Sequence, residues 1–269
     1  GFGIACDADG NVFVTGYCQE SIEGNPWFGS GDNVLAKYDS NGQRLWLRQW
    51  GTFNADTGHA VATDTNGNVL VAGYSNGTLY GTDHGGREIF LAKYSAAGDF
   101  LWGAQDGNTE TDQAWGLAVD AAQNIFIACE AGGPVQGNLH AGGPDVYVAK
   151  YSAAGSLLWS AQLGTADTDV ASAVCVDTNG GVFVTGWSYG DLDGSLNQGL
   201  ADAVLMKFAP TNSPPPPPTA NVATNVTSYA LVANWKPAAP ATGYRVDVST
   251  NSNFTTFLAG YQNLDVGSA

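Results

Sequence analysis

The feature that most constrains this chain is a unit of about 57 residues that returns four times. Asp7, Asp64, Asp120 and Asp177 recur in step. Lys37, Lys93, Lys150 and Lys207 follow them, and then Trp46, Trp102 and Trp159. A fixed period of this size marks a repeat architecture, in which each unit buries its apolar faces against its neighbours. The period constrains the fold far more than the function, because it names no ligand.

Each copy divides into four short apolar runs, which in the second copy are 59–63, 68–74, 89–94 and 99–105. Val, Ile, Leu, Phe, Tyr and Trp dominate them, and Gly, Asn, Asp and Ser fill the gaps. That composition predicts strands, and no stretch sustains apolar residues at helical spacing. The first and second runs are joined by Asp7–Asn11, Asp64–Asn68 and Asp177–Gly181. Asp39–Gly42, Ser95–Gly98 and Ser152–Gly155 join the third and fourth. These are tight-turn residues, because Gly and Asn tolerate positive φ and Asp bonds its own backbone. Four antiparallel strands per copy predict an all-β chain of β-propeller blades. The blades run at about 1–51, 52–107, 108–164 and 165–209, as an open arc or as part of a larger propeller. A stacked solenoid is the alternative.

The repeat resembles the bacterial seven-bladed β-propeller repeat (SBBP-type) family over residues 1–209. The residues that carry the likeness are Val61–Asp64, Gly67–Tyr74, Phe90–Tyr94 and Gly98–Trp102. The third copy departs at Gln123 and Cys129, where the second has Gly67 and Gly73, which predicts a different turn there. The resemblance implies an extracytoplasmic scaffold or interaction domain and carries over no catalytic residue. The chain opens with Gly1 inside a first strand, and the fourth copy stops at Ala209 without its Leu-Trp strand. The expectation is the C-terminal part of a larger propeller whose upstream blades precede residue 1.

Residues 210–218 contain five consecutive prolines and predict a semi-rigid polyproline spacer. Residues 219–269 resemble the start of a fibronectin type III domain, at Asn225–Ser228, Leu231–Trp235 and Gly243–Val248. About half of such a sandwich is present.

The formal net charge of −16 disfavours nucleic acid and anionic membrane surfaces as partners. No 18-residue apolar stretch predicts membrane insertion. Cys6, Cys18, Cys129 and Cys175 occupy no common repeat position and form no C-x-x-C, so buried thiols and a disulfide both stay open while zinc is disfavoured.

Strand parity places the tight turns on one rim of the arc and the loops 18–31, 75–87, 130–144 and 188–201 on the other. Two acidic series map to this second rim. Asp56, Asp112 and Asp169 fall between blades, and Asp32, Glu88, Asp145 and Asp202 enter the third strands. They could line a ligand or cation site. The alternative is that they cap loop amides or pair with the repeated Lys. One position varies in register on the same rim: Trp27, His84, His140 and Asn197. Variation on a fixed scaffold suits recognition, and two imidazoles with a carboxylate would suffice for a divalent cation. No catalytic residue and no resident cofactor is assigned. His59 falls in a strand and reads as a core or edge histidine.

Trp46, Trp102 and Trp159 follow a pattern similar to the tryptophan docking motif of quinoprotein propellers, which predicts largely buried sites between blades. No run of quinone ligands accompanies them. The Asp-x-Asn-Gly-Asn turns read as hairpins, since no Glu closes a calcium loop.

The leading reading is a non-catalytic extracytoplasmic scaffold or binding module for adhesion, with a glycan or a protein as ligand. The alternatives are a carbohydrate-active hydrolase or lyase and a quinoprotein-like fragment. An enzyme would need carboxylates that break the repeat. Glu20, Glu23, Glu110, Glu130, Asp191 and Asp193 are candidates, and Trp27, Tyr80 and Tyr189 offer faces for sugar stacking.

Overall fold

The computed structural model describes residues 1–192 and 199–208, and the backbone of 219–220, 235–236, 245–246 and 264–265. Among the described residues the chain is all-β, with no helix. Two compact units divide it, Gly1–Pro210 and Thr211–Ala269.

The first unit holds four antiparallel sheets, each built from strands consecutive in the chain. The first sheet contains β1 (Gly3–Cys6), β2 (Val12–Cys18), β3 (Asp32–Tyr38) and β4 (Arg44–Trp50). The second contains β5 (Asp56–Thr63), β6 (Val69–Ser75), β7 (Glu88–Tyr94) and β8 (Phe100–Asp106). The third contains β9 (Asp112–Val119), β10 (Ile125–Ala131), β11 (Asp145–Tyr151) and β12 (Leu157–Leu163). The fourth contains β13 (Asp169–Val176), β14 (Val182–Ser188) and β15 (Asp202–Phe208). These are propeller blades. Their first strands are the inner ones, since β1 packs on β5, β5 on β9 and β9 on β13. Close approach needs small residues there. A Cβ on Gly116 would lie 2.8 Å from Ala173 Cα of the next blade.

The cores lie between the sheets. Phe13, Leu35, Val61, Val71, Phe90 and Tyr94 fill the seam between blades one and two. Leu70, Leu91, Ile125, Ile127 and Tyr147 fill the next seam, and Phe126, Val148, Ala171 and Val184 the third. Burial on both faces makes β7 and β11 apolar without alternation.

The tight-turn rim is held by a knot repeated from blade to blade. Asp64 Oδ1 accepts N–H bonds from Asn66 and Asn68, and its Oδ2 takes the Lys93 ammonium at 2.8 Å. Lys93 and the Trp102 indole both donate to Ala153 O in the next blade's turn, at 3.5 and 3.2 Å. Asp7, Lys37, Trp46 and Ala96 O repeat the arrangement one blade earlier. The repeated Lys therefore pairs with the turn Asp, and not with the carboxylates of the long-loop rim. The three Trp sit at the blade seams as expected, but half-buried instead of largely buried. The rings of Trp46 and Trp102 lie over the neighbouring turns, and that of Trp159 stacks on Phe208. Gly98 has φ +84°, and a Cβ there would come within 3.0 Å of Trp46, so the turn needs glycine for conformation and for space.

The third blade keeps the same first turn despite Gln123. Gln123 N–H donates to Asp120 O, and the residue takes φ +65°. Its side chain ties to Thr65 and Asn66 of the blade before, which offsets a conformation unusual outside glycine. All four cysteines are free.

In the second unit, residues 219–220 pair with 235–236 and residues 245–246 with 264–265. The segments that resemble fibronectin type III otherwise lie outside the described residues, as does the proline run.

Candidate functional site

The long-loop rim is built on a clamp that the sequence reading missed. Gln49, Gln105 and Gln162 stand three residues after the repeated Trp and reach back under the long loop of their own blade. Gln105 Oε1 accepts the N–H groups of Leu79 and Tyr80, while its Nε2 donates to Gly77 O and Glu88. Gln162 joins Val135 N–H, Gly133 O and Asp145, and Gln49 joins Ile22 N–H, Glu20 O and Asp32. One neutral side chain thus satisfies a donor and acceptors of a loop that has no ladder of its own. The signal was the in-register Trp-x-x-Gln, which looks like a polar strand residue until the loop is seen to fold over it.

The two acidic series work in the same way. Asp32, Glu88 and Asp145 are buried at the starts of β3, β7 and β11 and cap the loop before them. Asp32 accepts from Phe28 N–H, Glu88 from His84 N–H and Asp145 from Ala141 N–H. Asp56, Asp112 and Asp169 are the first residues of the inner strands, not loop residues. Asp56 accepts from Thr52 and Ser75, Asp169 from Thr165 and Ser188. Asp112 accepts from Asn108 and Gly132. Capping is what these carboxylates do, and buried among their own donors they offer little edge to a ligand. Asp202 opens β15 and is partly exposed.

Asp56 and Asp112 have no cation beside them, and burial governs their titration. Burial pushes Asp112 up to about 6 against its hydrogen bonds, and raises Asp56 as well.

The varying position behaves differently. Trp27 is 52% exposed. His84 and His140 both line one cleft of about 760 Å³ between the second and third blades, together with Asn108, Glu110, Gly133 and Pro134. His84 Nδ1 lies 3.1 Å from Glu88, and His140 Nδ1 lies 3.0 Å from Asp145. A neutral ring held this way carries its proton on Nδ1 and keeps Nε2 as an acceptor. The structure therefore brings together His84 and His140, leaves Trp27 apart on the first blade, and leaves Asn197 outside the described residues. Among the described residues no group of three or more His, Cys, Asp or Glu is placed to hold a metal ion.

Of the acids that break the repeat, Glu110 alone among the described residues lines the cleft. Glu23 pairs with Arg44, and Glu130 accepts from Gln113. Asp193 lies outside the described residues. Asp106 was overlooked. It stands where Trp50 and Leu163 stand in the other blades, is buried, and accepts from Gln136 Nε2 at 2.8 Å and Gly107 N–H at 2.9 Å. Burial raises its pKa despite those donors. His59 is a core histidine. It stacks on Trp115 at 4.2 Å and bonds Ala114 O, and burial lowers its pKa. Among the described residues no helix is long and apolar enough to cross a membrane.

One comparison, with a family model, agrees with this architecture. A beta-propeller repeat family model matches residues 45–81 and 158–193, each segment running from an outer strand through the first two strands of the next blade. An uncharacterized WD repeat-containing protein of Acanthamoeba polyphaga mimivirus is 28% identical over 53% of this chain and 13% of its own length. The regulatory protein FlaEY of Caulobacter vibrioides is 27% identical over 66% of this chain and 21% of its own length. The chain thus spans about a fifth or less of these relatives. A Bacteroides caccae protein of unknown function superposes with a TM-score of 0.30 at 10% identity, covering 75% of this chain and 76% of its own. Four in-register sheets, with two segments matched by the repeat model, make residues 1–208 an array of β-propeller blades similar to the beta-propeller repeat family.

Proposed function

We propose that the chain is a non-catalytic extracytoplasmic recognition module that takes a glycan in the cleft between its second and third blades. One observation carries this reading. Two histidines at the same repeat position meet across one cleft, each fixed at Nδ1 by a buried carboxylate. The cleft offers two imidazole acceptors and the Glu110 carboxylate, and so favours a ligand rich in hydroxyl donors. The Gln clamps hold the loops in advance of binding, which lowers the ordering cost of association. Asp106, the one buried acid that breaks the repeat here, is already committed to Gln136, which speaks against the hydrolase alternative.

A glycan array read on wild type and on the His84→Ala, His140→Ala double variant tests the reading, with and without chelator. The expected outcome is binding that the chelator does not affect and the double variant loses by about 100-fold, two hydrogen-bonding side chains at roughly tenfold each. Unchanged binding in the variant would move the site elsewhere. Product released from any glycan would replace recognition with catalysis.

A further inference from the structure

Blade two lays a cation on an aromatic ring, and blade one has the ring without the cation. Tyr17 and Tyr74 stand at one repeat position, each directly before the last residue of its second strand. Gly31 and Arg87 stand at another, directly before Asp32 and Glu88. The backbone is the same at both. Gly31 bridges to Ala55 and Arg87 to Thr111, and their carbonyls accept from Asp56 N–H and Asp112 N–H at 2.8 and 2.7 Å. In blade two the Arg87 guanidinium lies 4.0 Å over the Tyr74 ring and donates to Gln113 Oε1 at 3.0 Å. In blade one Gly31 has no side chain to send there, and Tyr17 is 46% exposed. Blade three keeps neither member, since Pro144 replaces the Arg and Glu130 the ring. Blade four pairs Trp187 with Ala201, but Tyr189 packs on Trp187 at 5.2 Å.

A second ring widens this surface. Phe2 lies 5.9 Å from Tyr17, parallel within 16°, and is 58% exposed. Its N–H donates to Thr15 O, and its ring meets His59 of blade two edge-on at 5.3 Å, so the ledge is fixed from both blades. Burial raises the thiol of Cys18, the residue after Tyr17, and the charges of Asp32 and Glu20 raise it further. Two carboxylates therefore stand near the ledge, in a chain whose formal net charge is −16. An aromatic face backed by negative charge attracts a cation. A guanidinium is flat, stacks on such a face and is more weakly hydrated than an ammonium.

We propose that the ledge of Tyr17 and Phe2 is a docking point for an arginine side chain of a protein or peptide partner, which takes the place that Arg87 fills in blade two. The ledge shares no residue with the histidine cleft, and its use does not depend on a glycan binding there.

The full chain is titrated with acetyl-Gly-Arg-Gly-amide and with its lysine and citrulline counterparts, and the NMR shifts of the Tyr17 and Phe2 rings are followed. We expect saturable shifts with the arginine peptide, and binding at least about threefold weaker for the other two. Tyr17→Leu should lose this preference. Gly31→Arg should close the site from within. A Cβ on Gly31 would have the Tyr17 ring as its nearest contact, at 3.7 Å, so this variant should keep the melting temperature while the peptide no longer shifts the Phe2 ring. Arginine and citrulline binding alike would overturn the proposal, as would an unchanged preference in either variant or no saturable shift with any peptide. Lysine binding as well as arginine would also overturn it, leaving only attraction by the net charge.

Discussion

Each blade carries a repeated carboxylate on both rims, and the two rims hold it in opposite ways. On the tight-turn rim Asp64 meets an ammonium. Burial works against its ionisation, but Lys93 and Asn68 outweigh that, and the carboxyl titrates below its ordinary value. On the long-loop rim Asp112 meets only neutral N–H donors, so burial prevails and the carboxyl is pushed up to about 6. The same residue type titrates below its ordinary value at Asp64 and well above it at Asp112. The first rim fastens blade to blade, and its Asp and Lys recur in all four copies. The second supports loops whose length and composition differ, and its neutral Gln clamps accept any loop that presents a carbonyl and an N–H at the right place.

The most severe way to break this contrast is to remove one partner of the knot. Lys93→Ala should cost about 3–5 kcal/mol in urea melts, since Asp64 would be left buried without its cation. The Asp64→Asn, Lys93→Met pair should recover much of that loss. A Lys93→Ala cost under about 1 kcal/mol would show the knot to behave as an exposed surface pair.

Gln105→Ala tests the other rim and should cost about 2 kcal/mol. It orphans the Leu79 and Tyr80 N–H groups and removes a donor from Glu88. Amide exchange should quicken across residues 75–87 and stay unchanged in the blade-three turn at residues 152–155. Faster exchange spread evenly over blade two would instead make Gln105 a core residue with no particular hold on the loop.

How far this could be read from the chain follows the same division. Strands, turns and blade order were legible because they depend on period and local chemistry. The knot was half legible: Asp, Lys and Trp stand out in register, but that Lys93 reaches Asp64 and not Glu88 depends on which end of β7 it occupies. The Gln clamp was written plainly at 49, 105 and 162, yet a polar residue in an outer strand reads as solvated until a loop covers it. Asp106 was not legible. It is an ordinary strand residue in the sequence, and becomes unusual only when the neighbouring blade buries it.

The smallest effect, and the one that most sharpens the comparison, is on pH. Asp112 has a folded pKa of about 6 against 3.8 unfolded. Between those values the folded state holds a proton that the unfolded state has released, so its contribution to stability is complete below pH 3.8 and is lost as pH rises through 6. Asp64 has the opposite sign, with stability present above 3.8 and lost as pH falls through its lowered value. His59, lowered from 6.5 by burial, also disfavours acid, and its window overlaps that of Asp112. The two partly cancel, and the wild-type profile should be shallow between pH 4 and 6.5. The difference between wild type and Asp112→Asn isolates one rim. The amide cannot titrate and leaves one of the Asn108 and Gly132 donors facing an NH₂, so the variant is weaker throughout. Its deficit should shrink steadily as pH rises from 4 to 6. A deficit that stays flat across that range would mean that Asp112 is ionised throughout, and that the long-loop rim holds its carboxylates as firmly charged as the rim that supplies them with lysine.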